Sequence, residues 1–468
     1  MTSPLLGLYH RLPYPGRTLA ASLRGAYLKR WRYGSETKEL VAAALERESW
    51  TPQQWEKWQE SRLTELLKRA VERVPYYRNL WAARPASELS SWSNLASWPI
   101  LAKEALRRHP EEFVADDCRP NRMFQEQTSG TTGMPLRLWW GRNTIRGWYA
   151  LQEARTLRWN GLSQKEPWAI LGGQLIAPAA QQRPPFWVWN APMRQLYLSS
   201  YHLAPAHTAS YLEAMQRYGV VHLLGYPSAM HALALAALEQ GLDVPELRVA
   251  ITNAEPLFSH QQDVISEAFR CPVRETYGQA ELVAAASECE AGSLHLWPEV
   301  GFVEVLDDEG RPVPLGESGR LVCTGLLNTD MPLIRYDTGD RGRLAEEGTT
   351  CTCGRHLPIL EEIEGRQDDI LVTPDGRKIG RLDPVFKADL PVREAQIVQE
   401  SPVRVLVKVV PTREYTPAHA EEIASRLRDR VGPDMEIEIA TVDHIERGPA
   451  GKFRAVVSLV EKEIPIGG

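Results

Sequence analysis

Between residues 165 and 280, short apolar runs alternate with longer amphipathic ones. The runs 168–173, 220–225 and 247–252 have the length and composition of buried strands, whereas 211–217 and 229–238 have the spacing of helices. Strands that alternate with helices predict a parallel sheet covered by helices. Because such sheets bind ligands beyond the carboxyl ends of their strands, the segments that follow these runs are the first candidates for a site.

The chain of 468 residues is too long for one ordinary core, and its sequence pattern changes along its length. From about residue 295 to 365, short strand-like runs and turns predict a β-rich subdomain. The sequence therefore predicts an α/β protein with two domains. The large N-terminal domain, 1–367, has mostly parallel sheets flanked by helices and begins with a helical segment, 1–80. The C-terminal domain, 368–468, is a small mobile α+β unit.

Composition excludes several classes of protein. Hydrophobic residues make up 43% of the chain, as in globular proteins, and the net charge of −6 disfavours nucleic-acid binding as the main role. We find no apolar run of about 18 residues, so no membrane-spanning helix is expected, and the N-terminal apolar patch 4–8 is interrupted too early for a signal peptide. Six cysteines in so long a chain do not form a disulfide pattern. We expect a cytoplasmic protein.

The first forty residues are basic, with seven Lys and Arg residues against two Glu. Leu19, Leu23, Tyr27 and Trp31 recur at every fourth position, which places them along one side of a helix. Gly25 weakens the helix prediction. Two interpretations are open. The helix either contacts an anionic membrane surface, or it packs on the body of the protein or on a second subunit, as in a homodimer.

The segment 128–135 is dense in glycine and hydroxyl side chains and is closed by Pro135. Consecutive N–H groups in such a loop form a concavity that suits anions, and the hydroxyl groups add donors. A surface turn is the alternative interpretation. The loop does not match the Walker pattern, because no Gly-Lys-Ser/Thr follows it.

Five more elements follow this loop at increasing distance along the chain. They are Asn253-Ala254-Glu255-Pro256, Tyr277-Gly278-Gln279-Ala280-Glu281, Tyr336-Asp337-Thr338-Gly339-Asp340, Gly365-Arg366-Gln367-Asp368-Asp369 and Gly451-Lys452-Phe453-Arg454. With the loop, they resemble in kind and order the sequence elements of the adenylate-forming, or acyl-CoA synthetase, superfamily. The chain resembles most the phenylacetate–CoA ligase group, and within it the branch of capsular polysaccharide biosynthesis proteins. Segments 74–78, 225–228 and 380–387 carry this closer resemblance.

The resemblance implies roles for individual residues. It places the β- and γ-phosphates of ATP on Thr128, Ser129, Gly130, Thr131, Thr132 and Gly133. It places the nucleoside on Ala254, Glu255, Pro256, Tyr277, Gly278, Asp340 and Arg366, with the Asp340 carboxylate accepting from both ribose hydroxyls. It assigns Mg²⁺ to Glu281, a hinge to Asp368 and catalysis of adenylation to Lys452. The chain departs from the family after Pro135, where Leu136-Arg137 stands in place of the usual lysine, and Arg137 is a candidate substitute.

Two further sites are less constrained by the sequence. Gly173, His202, Tyr226 and Pro227 are candidates to line the acyl pocket, although a packing role for His202 is equally open. Cys289, His295, Cys351 and Cys353 are candidate ligands of a structural Zn²⁺, as in some members of the group. The alternative is free thiols and a surface histidine, because Cys-x-Cys is tighter than the usual spacing.

The resemblance implies an ATP-dependent, AMP-forming acid–thiol ligase that uses ATP and Mg²⁺ and transfers an acyl group to CoA. Acyl transfer to an amine or hydroxyl in surface polysaccharide synthesis stays open. A noncatalytic member of such a system is the alternative from another class, and nucleotidyl transfer is a further one.

Overall fold

The computed structural model describes residues 4–82, 92–127, 136–178, 180–366, 371–373, 378–379, 382, 385, 390–432, 434–447 and 453–460. Its α-helices are α1 Pro4–Arg11, α2 Tyr14–Arg32, α3 Thr37–Glu46, α4 Pro52–Arg73, α5 Pro75–Leu80, α6 Lys103–Arg108, α7 Arg142–Gln152, α8 Thr208–Arg217, α9 Pro227–Glu239, α10 Ser259–Phe269 and α11 Pro417–Val431. Its first ten strands are β1 Phe124–Gln127, β2 Arg137–Trp140, β3 Trp168–Gly172, β4 Trp187–Asn190, β5 Gln195–Ser199, β6 His222–Gly225, β7 Val249–Thr252, β8 Val273–Gly278, β9 Ala285–Glu288 and β10 Leu294–Leu296. The others are β11 Gly301–Leu306, β12 Gly319–Gly325, β13 Tyr336–Leu344, β14 Leu360–Arg366, β15 Leu371–Val372, β16 Lys378–Ile379, β17 Val392–Ser401, β18 Arg404–Pro411, β19 Glu436–Thr441 and β20 Val456–Ser458.

An eight-stranded sheet is built from the strands between residues 168 and 296, in the order β10-β9-β8-β7-β6-β3-β5-β4. Strands β5, β3, β6, β7 and β8 are parallel, which confirms the predicted fold class. The edge strand β4 and the β9–β10 hairpin are antiparallel additions that the alternating pattern does not indicate. Helices α8, α9 and α10 cover the sheet, and their apolar faces form one core with it.

Two four-stranded sheets follow along the chain. Strands β11 to β14 form an antiparallel four-stranded sheet, as the pattern after residue 295 predicts. Its core is continuous with the buried faces of α4 and α5. The second sheet has the order β19-β18-β17-β20 and packs against α11, with a separate core that includes Ile397, Val407 and Leu427.

Local sequence signals set the ends of several helices. The side chain of Thr51 accepts from the Gln54 amide, and the Gln54 side chain accepts from the Thr51 amide, which is the capping box that begins α4. That helix ends before Val74-Pro75, because a proline disfavours helical geometry at the preceding residue. Helix α11 begins with Pro417 in its first turn, where a proline costs no helical hydrogen bond.

Helix α2 packs on the edge strand β4. Gly25 lies in its middle because a Cβ there would come within 1.8 Å of the Asn190 side-chain oxygen. The hydroxyl of Ser22 donates to the Trp189 carbonyl, and Leu28 is buried on the same side. The predicted helix is therefore present, and one of its faces is bound to the protein body. Among the described helices, none is long and apolar enough to cross a membrane.

Candidate active site

The carboxyl end of β8 is where the predicted nucleotide residues meet. The Tyr277 hydroxyl donates to Asp340 Oδ2 at 2.8 Å, which joins the eight-stranded sheet to β13 of the four-stranded sheet. Gln279 Nε2 donates to the same oxygen at 3.3 Å. Burial, with the Asp340 carboxylate beside it, raises the pKa of Tyr277 well above its usual value, so the phenol remains a donor.

A tight turn immediately before Asp340 fixes the position of its carboxylate. The turn before it is closed by the Asp337 side chain, which accepts from the Gly339 amide at 3.0 Å, and by Thr338, which accepts from the Asp340 amide at 3.0 Å. Gly339 has φ of +76°, a conformation that favours glycine. In the β13–β14 ladder, Asp340 lies opposite Arg366, so the backbone of this predicted ribose residue is adjacent.

Glu281 lies four residues after Tyr277, and its side chain is buried. Tyr336 donates its hydroxyl proton to Glu281 Oε1 at 2.9 Å, and Lys103 Nζ lies 3.7 Å from the same oxygen. The predicted Mg²⁺ residue therefore has a fixed orientation and a cation beside it. Lys103 could not be identified from the sequence, since it lies in a short helix far from the motifs and no local signal marks it.

Arg137, the candidate substitute for the missing lysine, is exposed. Its Nη1 lies 3.7 Å from Glu111, and its guanidinium lies over the Trp139 ring. Of the two cations, Lys103 is the one that contacts a predicted site residue.

A cavity of about 210 Å³ opens beside Tyr277 and Gly278. Three tryptophans, Trp140, Trp148 and Trp297, form much of its apolar wall. The rest of the lining is Gln152, Asn253, Ala254, Thr276, Gln279, Ala280, Leu282 and Ala286. A larger cavity of about 500 Å³ lies between β11 and the segment 312–317, and no predicted site residue lines it.

The four predicted acyl-pocket residues lie together but do not line the cavity at Tyr277. His202 is buried, with Nδ1 2.7 Å from the Ser199 hydroxyl and Nε2 3.0 Å from the Pro178 carbonyl. Its ring stacks on Phe186, which supports the packing role that the sequence left open. Gly173 accepts from the Tyr201 hydroxyl, and Pro227 is the first residue of α9 after Tyr226.

Glu255 contacts a part of the chain that its motif does not indicate. Ala254 has φ of +65°, and the turn directs the Glu255 carboxylate toward α9. Glu255 Oε2 accepts from the Ser228 amide at 3.2 Å, and Oε1 accepts from the Phe453 amide at 2.5 Å. Burial raises the pKa of Glu255 above its usual value.

The four predicted zinc ligands converge. The ligand atoms of Cys289, His295, Cys351 and Cys353 lie within 4.8 Å of one another. Cys289 Sγ is 3.6 Å from Cys351 Sγ, and Cys353 Sγ is 3.3 Å from His295 Nε2. The β9–β10 hairpin brings the first two residues together, and the loop before β14 supplies the others.

Several predicted residues lie outside the described part of the chain. They are the phosphate-loop residues Thr128, Ser129, Gly130, Thr131, Thr132 and Gly133, the hinge residue Asp368 and the catalytic Lys452. The side chain of Arg366 is also outside it. Their assignments stay predictions.

Comparison with known proteins agrees with this geometry. Residues 193–329 match the family model of an AMP-binding enzyme, and residues 371–459 match the CapK C-terminal domain. Protein CapK of Staphylococcus aureus is 24% identical over 79% of this chain and 81% of its own length. A phenylacetate-coenzyme A ligase of Thermus thermophilus is 26% identical, over 86% of this chain and 96% of its own.

Solved structures show the same fold. A 2-hydroxyisobutyryl-CoA ligase in the postadenylation state has a TM-score of 0.69 at 24% identity, covering 89% of this chain and 92% of its own. The same ligase in the thioesterification state has a TM-score of 0.54. The AMP-binding match, with the relatives named as CoA ligases, supports an adenylate-forming enzyme. The two family models and the similarity to protein CapK and to phenylacetate-coenzyme A ligases support the phenylacetate–CoA ligase-like group, in its CapK branch.

We expect the Tyr336 hydroxyl to stabilise the protein through Glu281. Tyr336→Phe removes the donor from a buried carboxylate, so the free energy of unfolding falls by about 1–3 kcal/mol in urea denaturation. Tyr27→Phe, at an exposed tyrosine, is the matched control and should leave it unchanged. Equal effects of the two substitutions would contradict the structural role of this hydrogen bond.

Proposed function

We propose that the protein is an ATP-dependent ligase that activates a carboxylic acid and passes the acyl group to CoA. In the first step a carboxylate oxygen attacks the α-phosphorus of ATP, pyrophosphate leaves and an acyl-adenylate forms. In the second step the CoA sulfur attacks the acyl carbon, the thiol proton is lost and AMP leaves. The AMP-binding match and the similarity to CoA ligases support this proposal.

The meeting of Tyr277, Asp340 and Glu281 at the end of β8 is the observation that carries the proposal. Asp340 is suited to accept from the ribose hydroxyls, and Tyr277, as a neutral donor, fixes the orientation of that carboxylate. A Mg²⁺ ion held by Glu281 would neutralise charge on the phosphates, and a buried carboxylate oxygen fits such a hard cation.

Lys103 supplies positive charge where the family's lysine after Pro135 is missing. Its ammonium group lies beside Glu281, and so beside the place where we put the pyrophosphate. Phosphate binding by the loop 128–133, a hinge at Asp368 and adenylation catalysis by Lys452 complete the proposal. The domain boundary at 367/368 is part of it.

The cavity at Tyr277 is our candidate for the acyl pocket. Its volume of about 210 Å³ and its tryptophan walls suit a compact acid with an apolar or aromatic group. Gln152 adds one polar group that can orient a substituent. Acyl contacts at Gly173, His202, Tyr226 and Pro227 stay the alternative prediction.

Pyrophosphate release from ATP tests the ligase directly, over a panel of aryl, fatty and amino acids with and without CoA. We expect release to depend on one class of acid and to fall by about 100-fold or more in Lys452→Ala, because charge stabilisation in the transition state is lost. Lys57→Ala, at an exposed lysine, is the control.

Product analysis separates the alternatives. A thioester that requires CoA supports the proposal, whereas an amide or ester formed without CoA would assign the protein to surface polysaccharide synthesis. Retention of AMP on the product would indicate nucleotidyl transfer. No release with any acid, together with no ATP binding, would indicate a noncatalytic protein.

We also propose that the four-residue Cys/His cluster binds a structural Zn²⁺. Zinc–sulfur bonds of about 2.3 Å in a tetrahedral site place two sulfurs about 3.8 Å apart, close to the 3.6 Å between Cys289 and Cys351. His295 Nδ1 lies 3.1 Å from the Leu357 carbonyl, which leaves Nε2 toward the cysteines as the ligand atom.

Metal analysis of the purified protein should give about one zinc per chain. Cys353→Ser should lower the zinc content and the midpoint of thermal unfolding, because the metal links the β9–β10 hairpin to the loop before β14. Cys271→Ser, at a buried thiol outside the cluster, should not change the zinc content. If the wild-type protein takes up no zinc during dialysis against a zinc solution, the proposed site is excluded.

The exposed side of α1 and α2 suits the membrane contact that the sequence left open. Leu8, Leu19 and Leu23 are 62%, 62% and 66% exposed, and Tyr27 is 54% exposed. The first 35 residues contain no Asp or Glu, and Arg11, Arg24, Lys29 and Arg30 are exposed around this stripe. We place the protein in the cytoplasm with this stripe on the anionic inner membrane surface.

Co-sedimentation with vesicles tests this placement. Wild-type protein should sediment with vesicles of phosphatidylcholine and phosphatidylglycerol, and Leu19→Ser/Leu23→Ser should bind about tenfold more weakly. Leu315→Ser/Leu459→Ser, at two leucines exposed elsewhere, is the matched control. No sedimentation of wild type would exclude the contact. If the wild-type protein is a dimer in solution and Leu19→Ser/Leu23→Ser dissociates it, the stripe belongs to a subunit interface instead.

A further inference from the structure

The contact between Glu255 and Phe453 joins two distant parts of the chain. Glu255 follows β7 at the ligand-binding edge of the parallel sheet, and Phe453 precedes β20 of the C-terminal sheet. Glu255 Oε1 accepts from the Phe453 backbone amide at 2.5 Å. Phe453 directly follows Lys452, the residue predicted to catalyse adenylation.

The Glu255 carboxylate is held in place from its own side. The left-handed backbone at Ala254 turns the chain, and the Ser228 amide at the beginning of α9 donates to Oε2 at 3.2 Å. An anion at this position is favoured by the dipole of the thirteen-residue helix. The Glu255 carboxylate is therefore held in place by α9 and by the turn at Ala254, independently of its contact with Phe453.

The C-terminal segment is also ordered by its own contacts. The Arg447 guanidinium lies 4.8 Å above the Phe453 ring, and Arg447 is paired with Glu394 near the beginning of β17. These two contacts therefore hold the Phe453 backbone amide in place within the C-terminal unit. A second link between the two units, Arg393 to Glu239 at 2.9 Å, is about one-third exposed at both ends, and such pairs contribute little.

We propose that Glu255 is a positioning residue that holds the segment following Lys452 against the large domain during adenylation. The hydrogen bond between Glu255 and Phe453 must break when the C-terminal unit rotates for acyl transfer. It therefore favours adenylation over acyl transfer. The proposal rests on the proposed ligase function. It assigns Glu255 a role distinct from the adenine contact that its motif implies, because both carboxylate oxygens accept from backbone amides.

Amide exchange measures this contact without any substrate. The chain has eight phenylalanines, so ¹⁵N-phenylalanine labelling gives eight backbone amide signals, and Phe453→Leu identifies the signal of interest. Glu255→Gln removes the charge and turns one acceptor into a donor. We expect exchange at Phe453 to accelerate about tenfold or more, since hydrogen bonds to charged groups are the stronger ones.

Glu239→Gln is the matched control, because it breaks the other link between the two units and should change exchange at Phe453 less than twofold. Unchanged exchange in Glu255→Gln would overturn the proposal. So would equal acceleration at the other phenylalanines, because that result means general destabilisation.

The two half-reactions give the functional test. Acid-dependent ATP–pyrophosphate exchange should fall about tenfold in Glu255→Gln, whereas acyl transfer from a supplied acyl-adenylate should change less than twofold. Equal loss in both, with a raised KM for ATP, would identify Glu255 as an adenine contact and overturn the proposal. If wild-type protein shows no adenylation, the ligase function fails, but the amide-exchange result still decides whether the contact holds the segment.

Discussion

The hydrogen bond between Tyr277 and Asp340 joins the two sheets on which the rest of the site depends. Tyr277 ends a strand of the parallel sheet, and Asp340 lies in the antiparallel sheet. Because burial keeps the phenol protonated, the carboxylate has a permanent donor and a fixed direction. A second contact of the same kind, from Tyr336 to Glu281, joins the same two sheets a short distance away. Two tyrosine–carboxylate pairs therefore set the relative positions of Asp340 and Glu281, the residues that we propose for the ribose and for Mg²⁺.

Charge balance in this region is distributed over several elements. Lys103 comes from a short helix early in the chain and reaches Glu281, while Arg137 turns away toward Glu111. A lysine need not follow the phosphate loop in sequence to provide charge near it, because electrostatic stabilisation depends on distance in space. The departure from the family pattern at Leu136-Arg137 is therefore compatible with an active enzyme.

Much of the fold could be predicted from local pattern. The alternation between 165 and 280 predicts the parallel strands, and the capping box at Thr51 and the proline after Val74 mark the two ends of α4. The edge strand β4 could not be predicted in this way, because an antiparallel edge is set by what packs beside it, here helix α2. Gly25 is the clearest case. Glycine has a low helix propensity and therefore weakens the helix prediction, but the close approach of Asn190 requires a glycine at this position.

The sequence by itself determined the family, the fold class and the residue types of the site, since the order of motifs and the alternation of strands and helices are properties of the chain alone. Only the tertiary structure decided how those residues meet. It showed that Tyr277 and Glu281 are oriented by residues some 60 positions away, that His202 is enclosed by packing, and that Glu255 reaches Phe453 across 198 positions. The physical reason is that hydrogen bonds and burial act over a few ångströms in space, and sequence separation carries no information about that distance.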